Sequence, residues 1–85
     1  MPRILDGRLS PGQLAALRLA ANGLTSRQIA VRLGTTERGI HLRLITATRS
    51  LGAQSRTHAV AVALRLGLLS LDEIDLPAQP EQETA

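Results

Sequence analysis

Aromatic residues, cysteine and lysine are all absent from this chain of 85 residues. Without aromatic side chains the core must consist of leucine, isoleucine, valine and alanine, so we expect modest stability unless a partner adds buried surface. Without cysteine, disulfide bonds and thiolate metal sites are excluded. The sequence also lacks a transmembrane run and a signal-peptide pattern. We therefore expect a small cytoplasmic protein with no membrane partner.

The charge is distributed unevenly along the chain. Residues 1–71 contain all ten arginines and only two acidic side chains, which gives this part a net charge of +8. Residues 72–85 contain the other five acidic side chains and no cation. A basic body of this kind suits a polyanionic ligand such as a nucleic acid.

The central part of the chain, residues 24–51, has the pattern of a helix-turn-helix. Thr25 begins a capping-box pattern, and Gly34 is suited to the left-handed conformation that ends a helix. Thr36 is placed to cap a second helix. Apolar residues recur in that helix at helical spacing: Ile40, Leu44, Ala47 and Leu51. The second helix of such a motif enters the major groove of DNA, so we predict double-stranded DNA binding by the helix at 36–51.

Two further helices are predicted on either side of this motif. Ser10, Pro11 and Gln13 form a strong helix start, and that helix is expected to end near Asn22. Ser55 opens the last helix, which has two apolar faces. One face holds Ala59, Val62, Ala63 and Leu66, and the other holds Val60, Ala61 and Leu64. A helix that is apolar on most sides needs a second cover, so Val60, Ala61 and Leu64 are predicted to form a dimer interface.

The sequence therefore predicts one domain with short extensions. Residues 1–8 are expected to be an N-terminal arm, residues 9–76 the helix-turn-helix domain, and residues 77–85 a disordered acidic tail. Ser70 and Glu73 form another capping pattern, which predicts a single further turn through Ile74.

Several short motifs stand at defined positions in residues 9–69. They are Leu9-Ser10-Pro11, Gly23-Leu24-Thr25, Ile29-Ala30, Leu33-Gly34, Leu51-Gly52, Ser55-Arg56-Thr57, Ala59-Val60 and Leu66-Gly67-Leu68-Leu69. With these motifs, the segment resembles the DNA-binding domain of LuxR-type (GerE-like) transcription regulators. The resemblance implies an all-α fold of four helices, a homodimer formed mainly through the last helix, and transcriptional control in bacteria without a cofactor. The family often has an upstream sensor domain that this sequence lacks, so the resemblance is to its stand-alone effectors.

The recognition helix departs from the family pattern. The family commonly has basic residues where this chain has His41, Leu42 and Ile45, and it usually has threonine where this chain has Gly39; it also usually has glutamate where this chain has Gln13. The residues predicted to face the bases are Arg38, His41, Leu42 and Ile45. The two aliphatic residues among them suit thymine methyl groups, and they equally suit a protein surface.

Phosphate contacts are predicted at two helix starts, where free N–H groups and the helix dipole favour an anion. The predicted phosphate-binding residues are Thr25, Ser26 and Arg27 at the first start, Ser55, Arg56 and Thr57 at the second, and Arg49 along the recognition helix.

Enzymatic activity is not predicted. His41 and His58 lie on different helices, and neither has a carboxylate at a spacing that would allow both to ligate zinc. The sequence also has no Gly-rich phosphate-binding loop. We expect a nucleoid-associated transcriptional regulator. The alternative is an interaction module that binds a sigma factor, RNA polymerase or a larger LuxR-type regulator and makes no specific DNA contacts.

Overall fold

The computed structural model of the chain describes residues 9–77. The predicted arm at residues 1–8, and the predicted tail from residue 78 onward, lie outside the described residues. The described part contains four helices and one 3₁₀ turn, and it contains no strand. The helices are α1 (Pro11–Ala21), α2 (Ser26–Leu33), α3 (Glu37–Ser50) and α4 (Arg56–Leu66), and the turn is Leu71–Glu73. The prediction of an all-α fold of four helices is confirmed.

Two of the helices begin at the predicted capping boxes. The Ser10 Oγ accepts a hydrogen bond from the Gln13 N–H at 3.1 Å, and the Gln13 side chain accepts one from the Ser10 N–H at 3.1 Å. Thr25 and Gln28 make the same reciprocal pair at 3.2 Å and 2.9 Å. Each box satisfies two N–H groups that helix geometry leaves without a partner, and so it fixes where the helix starts.

The turn between α2 and α3 is built from Gly34 and two threonines. Gly34 has a φ of 69°, in the left-handed region that glycine adopts without strain. The Thr35 N–H then donates to the Ala30 carbonyl at 2.9 Å, which closes α2. The Thr36 Oγ1 accepts from the Gly39 N–H at 2.9 Å, which opens α3. A Cβ on Gly39 would lie 3.1 Å from that same hydroxyl, so glycine at this position leaves room for the cap.

The core lies between α3 and the other three helices, all of which α3 contacts. Its largest fully buried side chains are Leu17, Ile29, Ile40 and Leu69. Small residues complete it: Ala16, Ala30, Ala47, Ala59 and Ala63. Burial of one leucine or isoleucine contributes about 1.5–3 kcal/mol, while the alanines let helices approach closely. Leu69 lies beyond α4, so the core extends past the last helix.

The helix α4 packs differently from the two faces that the sequence suggests. Ala59 and Ala63 are buried as expected, but Leu66, from the same apolar face, is 50% exposed. Val60 and Leu64, from the predicted dimer face, are half-buried and pack against the chain's own core. The physical reason is helix geometry, because residues three or four positions apart lie on the same side of a helix. The side of α4 that packs on the core therefore includes residues of both predicted faces.

The acidic segment after α4 docks on α1. The Arg18 Nε lies 2.8 Å from the Glu73 Oε2, and the Asn22 Nδ2 donates to the Glu73 carbonyl at 2.9 Å. The Asn22 Oδ1 accepts from the Asp75 N–H at 2.6 Å. The hydrogen bond from the Ser70 N–H, followed by the charge of Arg18, holds the pKa of Glu73 below its ordinary value, although partial burial acts in the opposite direction. The predicted turn at residues 70–74 is therefore confirmed, and it belongs to the folded body.

Candidate nucleic-acid interface

The outer face of α3 carries most of the residues predicted to read bases. Arg38, His41 and Leu42 are exposed, with Leu42 at 51%. Thr46 is also exposed one turn after Leu42, and it is not among the residues predicted from the sequence to face the bases. Thr46 lies four residues after Leu42 and therefore on the same side of the helix. This spacing is the signal in the sequence that could have added Thr46 to the residues predicted to face the bases.

Ile45 is less outward than its position on a helical wheel predicts. It is half-buried, on the side of α3 that faces the α3–α4 connection. Ile45 lines an open groove of about 380 Å³ between α3 and the start of α4. The other residues that line this groove are His41, Leu44, Thr48, Arg49, Ala53, Gln54, Ser55 and Arg56. The groove therefore places the α3 face directly beside the start of α4.

A single hydrogen bond joins the two predicted phosphate-binding helix starts. The Arg56 Nη2 donates to the Ser26 Oγ at 2.9 Å, although the two residues are 30 positions apart in the chain. The starts of α2 and α4 are thereby held together. Because Arg56 also lines the groove with Ile45 and Arg49, the α2 start, the α4 start and the α3 face form one continuous surface. We call it the three-helix surface.

The charge of the three-helix surface is positive. Ser26 is a neutral partner, so this hydrogen bond brings no carboxylate that would offset the positive charge of the Arg56 guanidinium. The first turns of α2 and α4, both within the described residues, contain no acidic side chain. Their unpaired N–H groups add the positive end of each helix dipole. This combination favours an anion such as a phosphate.

The hydroxyl groups at the two helix starts are already used as caps. The Thr25 Oγ1 accepts from the Gln28 N–H, and the Ser55 Oγ accepts from the His58 N–H at 3.1 Å. Each hydroxyl proton stays available for donation, because a hydroxyl both donates and accepts. Thr57, on the first turn of α4, and Arg27, on that of α2, are exposed.

Other arginines serve the fold instead of this surface. Arg18 pairs with Glu73, the one ion pair within residues 9–77. The Arg43 guanidinium lies over Gly12 on α1, 3.6 Å from where a Cβ on that glycine would be.

The two histidines do not form a metal site with other side chains. The His58 Nδ1 accepts a hydrogen bond from the Gln54 N–H at 3.1 Å, which ties the α3–α4 connection to α4. Within the part of the chain that the structure describes, no group of potential ligands could hold a metal ion. In the same part, no helix has the length and apolar character that crossing a bilayer requires.

A helix-turn-helix whose second helix lies beside two electropositive helix starts defines the class of DNA-binding regulators. The family described as bacterial regulatory proteins of the luxR family (GerE) matches residues 8–63. The chain belongs to this family, whose members are DNA-binding transcription regulators and not enzymes. The family predicted from the sequence motifs is confirmed.

Similar proteins cover most of this chain. The transcriptional regulatory protein YdfI of Bacillus subtilis is 40% identical over 79% of the chain. The quorum sensing-dependent transcriptional regulator RpaR of Rhodopseudomonas palustris is 48% identical over 80%, and the two-component response regulator PprB of Pseudomonas aeruginosa is 43% identical over 71%. The chain spans only 32%, 28% and 22% of these three relatives. No solved structure matches the chain significantly.

Proposed function

We propose that this chain regulates transcription by binding specific double-stranded DNA as a homodimer, with the helix at 36–51 in the major groove. The observation that carries this proposal is the hydrogen bond between Arg56 and Ser26. It brings two helix starts that suit an anion together beside the exposed face of α3. If α3 lies in the major groove, these helix starts can hold the DNA phosphates on either side of the groove and so position the helix. A cytoplasmic, nucleoid-associated location is part of the proposal, because that is where the DNA lies.

The backbone contacts supply affinity without sequence preference. The exposed or half-exposed candidates are Thr25, Ser26, Arg27, Arg49, Ser55, Arg56 and Thr57. If a dimer made six such contacts, the logarithm of its affinity would fall with the logarithm of salt concentration with a slope of about −5.

Sequence preference comes from the outer face of α3. Leu42 and Ile45 present methyl groups that suit thymine, and Arg38 suits the two acceptors of guanine. Thr46 adds a hydroxyl that can both donate and accept. His41 stands at the edge of the groove and completes the set of base-facing residues.

The names of the relatives support the regulatory part of this proposal. Each is named as a transcriptional or response regulator, and RpaR is named as quorum sensing-dependent. We also propose that the chain contacts RNA polymerase or another regulator, in keeping with such a role.

Dimerisation through α4 is tested best at Ala61, because Val60 and Leu64 pack against the chain's own core while Ala61 is exposed. The substitution Ala61→Glu should give monomers in sedimentation without loss of the helical circular dichroism signal. Val31→Glu, at a position that is 80% exposed on α2, is the matched control and should stay dimeric. A parent protein that is monomeric at tens of micromolar would end the dimer proposal.

Specific readout is tested at Leu42. Leu42→Ala should weaken binding to a selected operator by about 1 kcal/mol, the scale of burying one or two methyl groups. Binding to random duplex should stay the same, since Leu42 makes no phosphate contact in this proposal. Equal loss on both duplexes would remove Leu42 from base readout.

A second candidate function is a protein-interaction module for a sigma factor, polymerase or a larger LuxR-type regulator. The observation that favours it is the aliphatic pair on the α3 face, with Leu42 at 51% exposure and Ile45 in the groove. In this case Ile45→Ala abolishes a protein complex and leaves retention on DNA unchanged. Both assays on the same variant separate the two functions.

A further inference from the structure

A second groove lies along α2, on the side of the helix that carries Val31. It has a volume of about 640 Å³ and is open to solvent. The residues that line it are Gly23, Leu24, Arg27, Gln28, Val31 and Arg32. We call it the α2 groove. Of these residues, only Arg27 has a role in the proposed function.

The α2 groove combines an aliphatic side chain with two cations. Val31 is 80% exposed. Arg27 lies one turn before Val31 and Arg32 directly follows it, and both arginines are exposed. Among the residues of the described range 9–77 that line the groove, none is acidic. A surface that carries a carboxylate beside an aliphatic side chain therefore fits this groove in both charge and polarity.

Such a surface lies next to the groove on the same molecule. The Asn22 Nδ2 donates to the Glu73 carbonyl at 2.9 Å, and the Asn22 Oδ1 accepts from the Asp75 N–H at 2.6 Å. These bonds anchor the backbone of this segment to the end of α1. The Asp75 side chain is exposed, and Leu76, which follows it, is 83% exposed. We call Asp75 and Leu76 the exposed pair.

The exposed pair adjoins the α2 groove of its own chain without filling it. Its anchor residue, Asn22, is followed directly by Gly23, which lines the groove. Leu76 is not among the lining residues, and most of its surface faces solvent. Two complementary patches that lie side by side suit a two-fold arrangement of two molecules, in which each copy offers its exposed pair to the groove of the other.

We propose that the α2 groove binds a second copy of this chain, with Leu76 of one copy against Val31 of the other and Asp75 paired with Arg32. Two-fold symmetry makes this contact twice. The contact does not use Ala61, so it joins one homodimer of the proposed function to another. An interface of a few residues belongs to the weak, transient class, so the assembly forms only at high protein concentration.

The contact has a consequence for DNA binding, and this part rests on the proposed function. Arg27 lines the α2 groove and is also one of the residues that contact phosphate in that function. A second copy in the groove covers Arg27, so the second copy and the DNA backbone exclude each other there. Duplex DNA should therefore disperse the assembly.

The contact is tested first without DNA, by changing the sign of one charge. Arg32→Glu and Asp75→Arg each turn the proposed ion pair into a pair of like charges, and neither residue has a role in the proposed function. Nuclear magnetic resonance follows the Val31 methyl signals of the full chain as the protein concentration rises from micromolar to millimolar. In the parent these signals should shift with concentration. In each variant the midpoint should rise at least about four-fold, because one exposed ion pair changes an equilibrium about two- to five-fold and like charges oppose it by a similar factor.

A mixture of the two variants supplies the sharper measurement. Isotope-labelled Arg32→Glu is titrated with unlabelled Asp75→Arg, so that opposite charges face each other across both halves of the contact. The Val31 signals of the labelled variant should then shift at concentrations at which unlabelled Arg32→Glu has no effect. The control is Arg65→Glu, because Arg65 is exposed in the last turn of α4 as Arg32 is in the last turn of α2. This control should behave like the parent.

Three results would overturn the proposal. The Val31 signals of the parent do not change with concentration; the concentration dependence is unchanged in both single variants, which indicates an association that does not use this charge pair; or the mixture behaves like the single variants.

Random duplex separates this proposal from the proposed function. At saturating duplex, the Val31 signals of the parent should no longer depend on protein concentration. If the dependence persists on duplex, the contact between copies is supported and Arg27 is removed from the phosphate contacts. If the chain binds no duplex, the proposed function fails, while the exchange of charges without DNA still decides whether the second copy occupies the groove.

Discussion

Arg56 and Arg18 each donate a hydrogen bond to a residue far away in the sequence, but the two regions differ in charge. Arg56 bonds to the neutral hydroxyl of Ser26 at 2.9 Å, and Arg18 bonds to the carboxylate of Glu73 at 2.8 Å. The first bond fixes a position and leaves the positive charge in place. The second neutralises the charge and fastens the chain after α4 to α1. The partner, more than the arginine, decides whether a region serves a polyanion or the fold.

The largest effect is expected at Arg56. Arg56→Ala removes a charge-assisted contact that is worth about 1.5–3 kcal/mol, so affinity for every duplex should fall at least ten-fold. Fluorescence anisotropy with operator and random DNA measures both losses. Arg56→Lys keeps the charge without the planar fork and should lie between the parent and Arg56→Ala. A loss confined to the operator would show that Arg56 reads bases instead.

The next effect is expected in the α1 region. Asn22→Ala removes two bonds to the segment after α4 and one to the Arg18 carbonyl. The free energy of unfolding should fall by about 1–3 kcal/mol, since three hydrogen bonds, each worth about 0.5–1.5 kcal/mol, are lost. Urea denaturation measures this, and Gln54→Ala, at an exposed position, is the control. Affinity for random duplex should stay the same, and a ten-fold loss there would contradict the separation of the two regions.

These two regions also show what was predictable from the sequence. The capping boxes at Ser10 and Thr25 bond residues three apart, so a local pattern specifies them completely. The left-handed helix end at Gly34 and the helix cap at Thr36 were predictable for the same reason. The motifs of the LuxR-type family also made the number and order of the four helices predictable.

The long-range contacts were not predictable in that way. The bond from Arg56 to Ser26 spans 30 residues, and the pair of Arg18 with Glu73 spans 55. Both depend on how the helices pack, and a helical wheel contains no such information. Ile45 is half-buried in a groove that it lines together with residues of the α3–α4 connection, and a helical wheel contains no information on those neighbours.

A smaller effect is expected at Ser26. Ser26→Ala removes the neutral partner of Arg56 while leaving every charge in place, so affinity for random duplex should fall by about 0.5–1.5 kcal/mol. Together with Arg56→Ala it forms a double-mutant cycle. If Ser26 acts by positioning Arg56, the loss in the double variant is smaller than the sum of the two single losses. Additive losses would mean that the two residues contact DNA independently.

The smallest effect is a dependence on pH. The pKa of Glu73 lies below its ordinary value of 4.5, because the Ser70 N–H and Arg18 stabilise the carboxylate. The pair therefore contributes its full stability above about pH 4.5 and loses it as the pH falls through the lowered pKa. In Glu73→Gln this part of the acid dependence should disappear from urea midpoints measured between about pH 3 and 6. Identical pH profiles for the variant and the parent would exclude the pair as their source.

The central claim, that the unneutralised arginine faces DNA, is tested most directly by a matched pair of variants. Arg56→Ala and Arg18→Ala each remove one positive charge per chain. Affinity for random duplex is measured for both across a series of salt concentrations. Each lost phosphate contact lowers the magnitude of the salt slope by about 0.9. A dimer of Arg56→Ala should therefore lose nearly two units of slope, and Arg18→Ala should keep the slope of the parent. Equal slopes in the two variants would contradict the account.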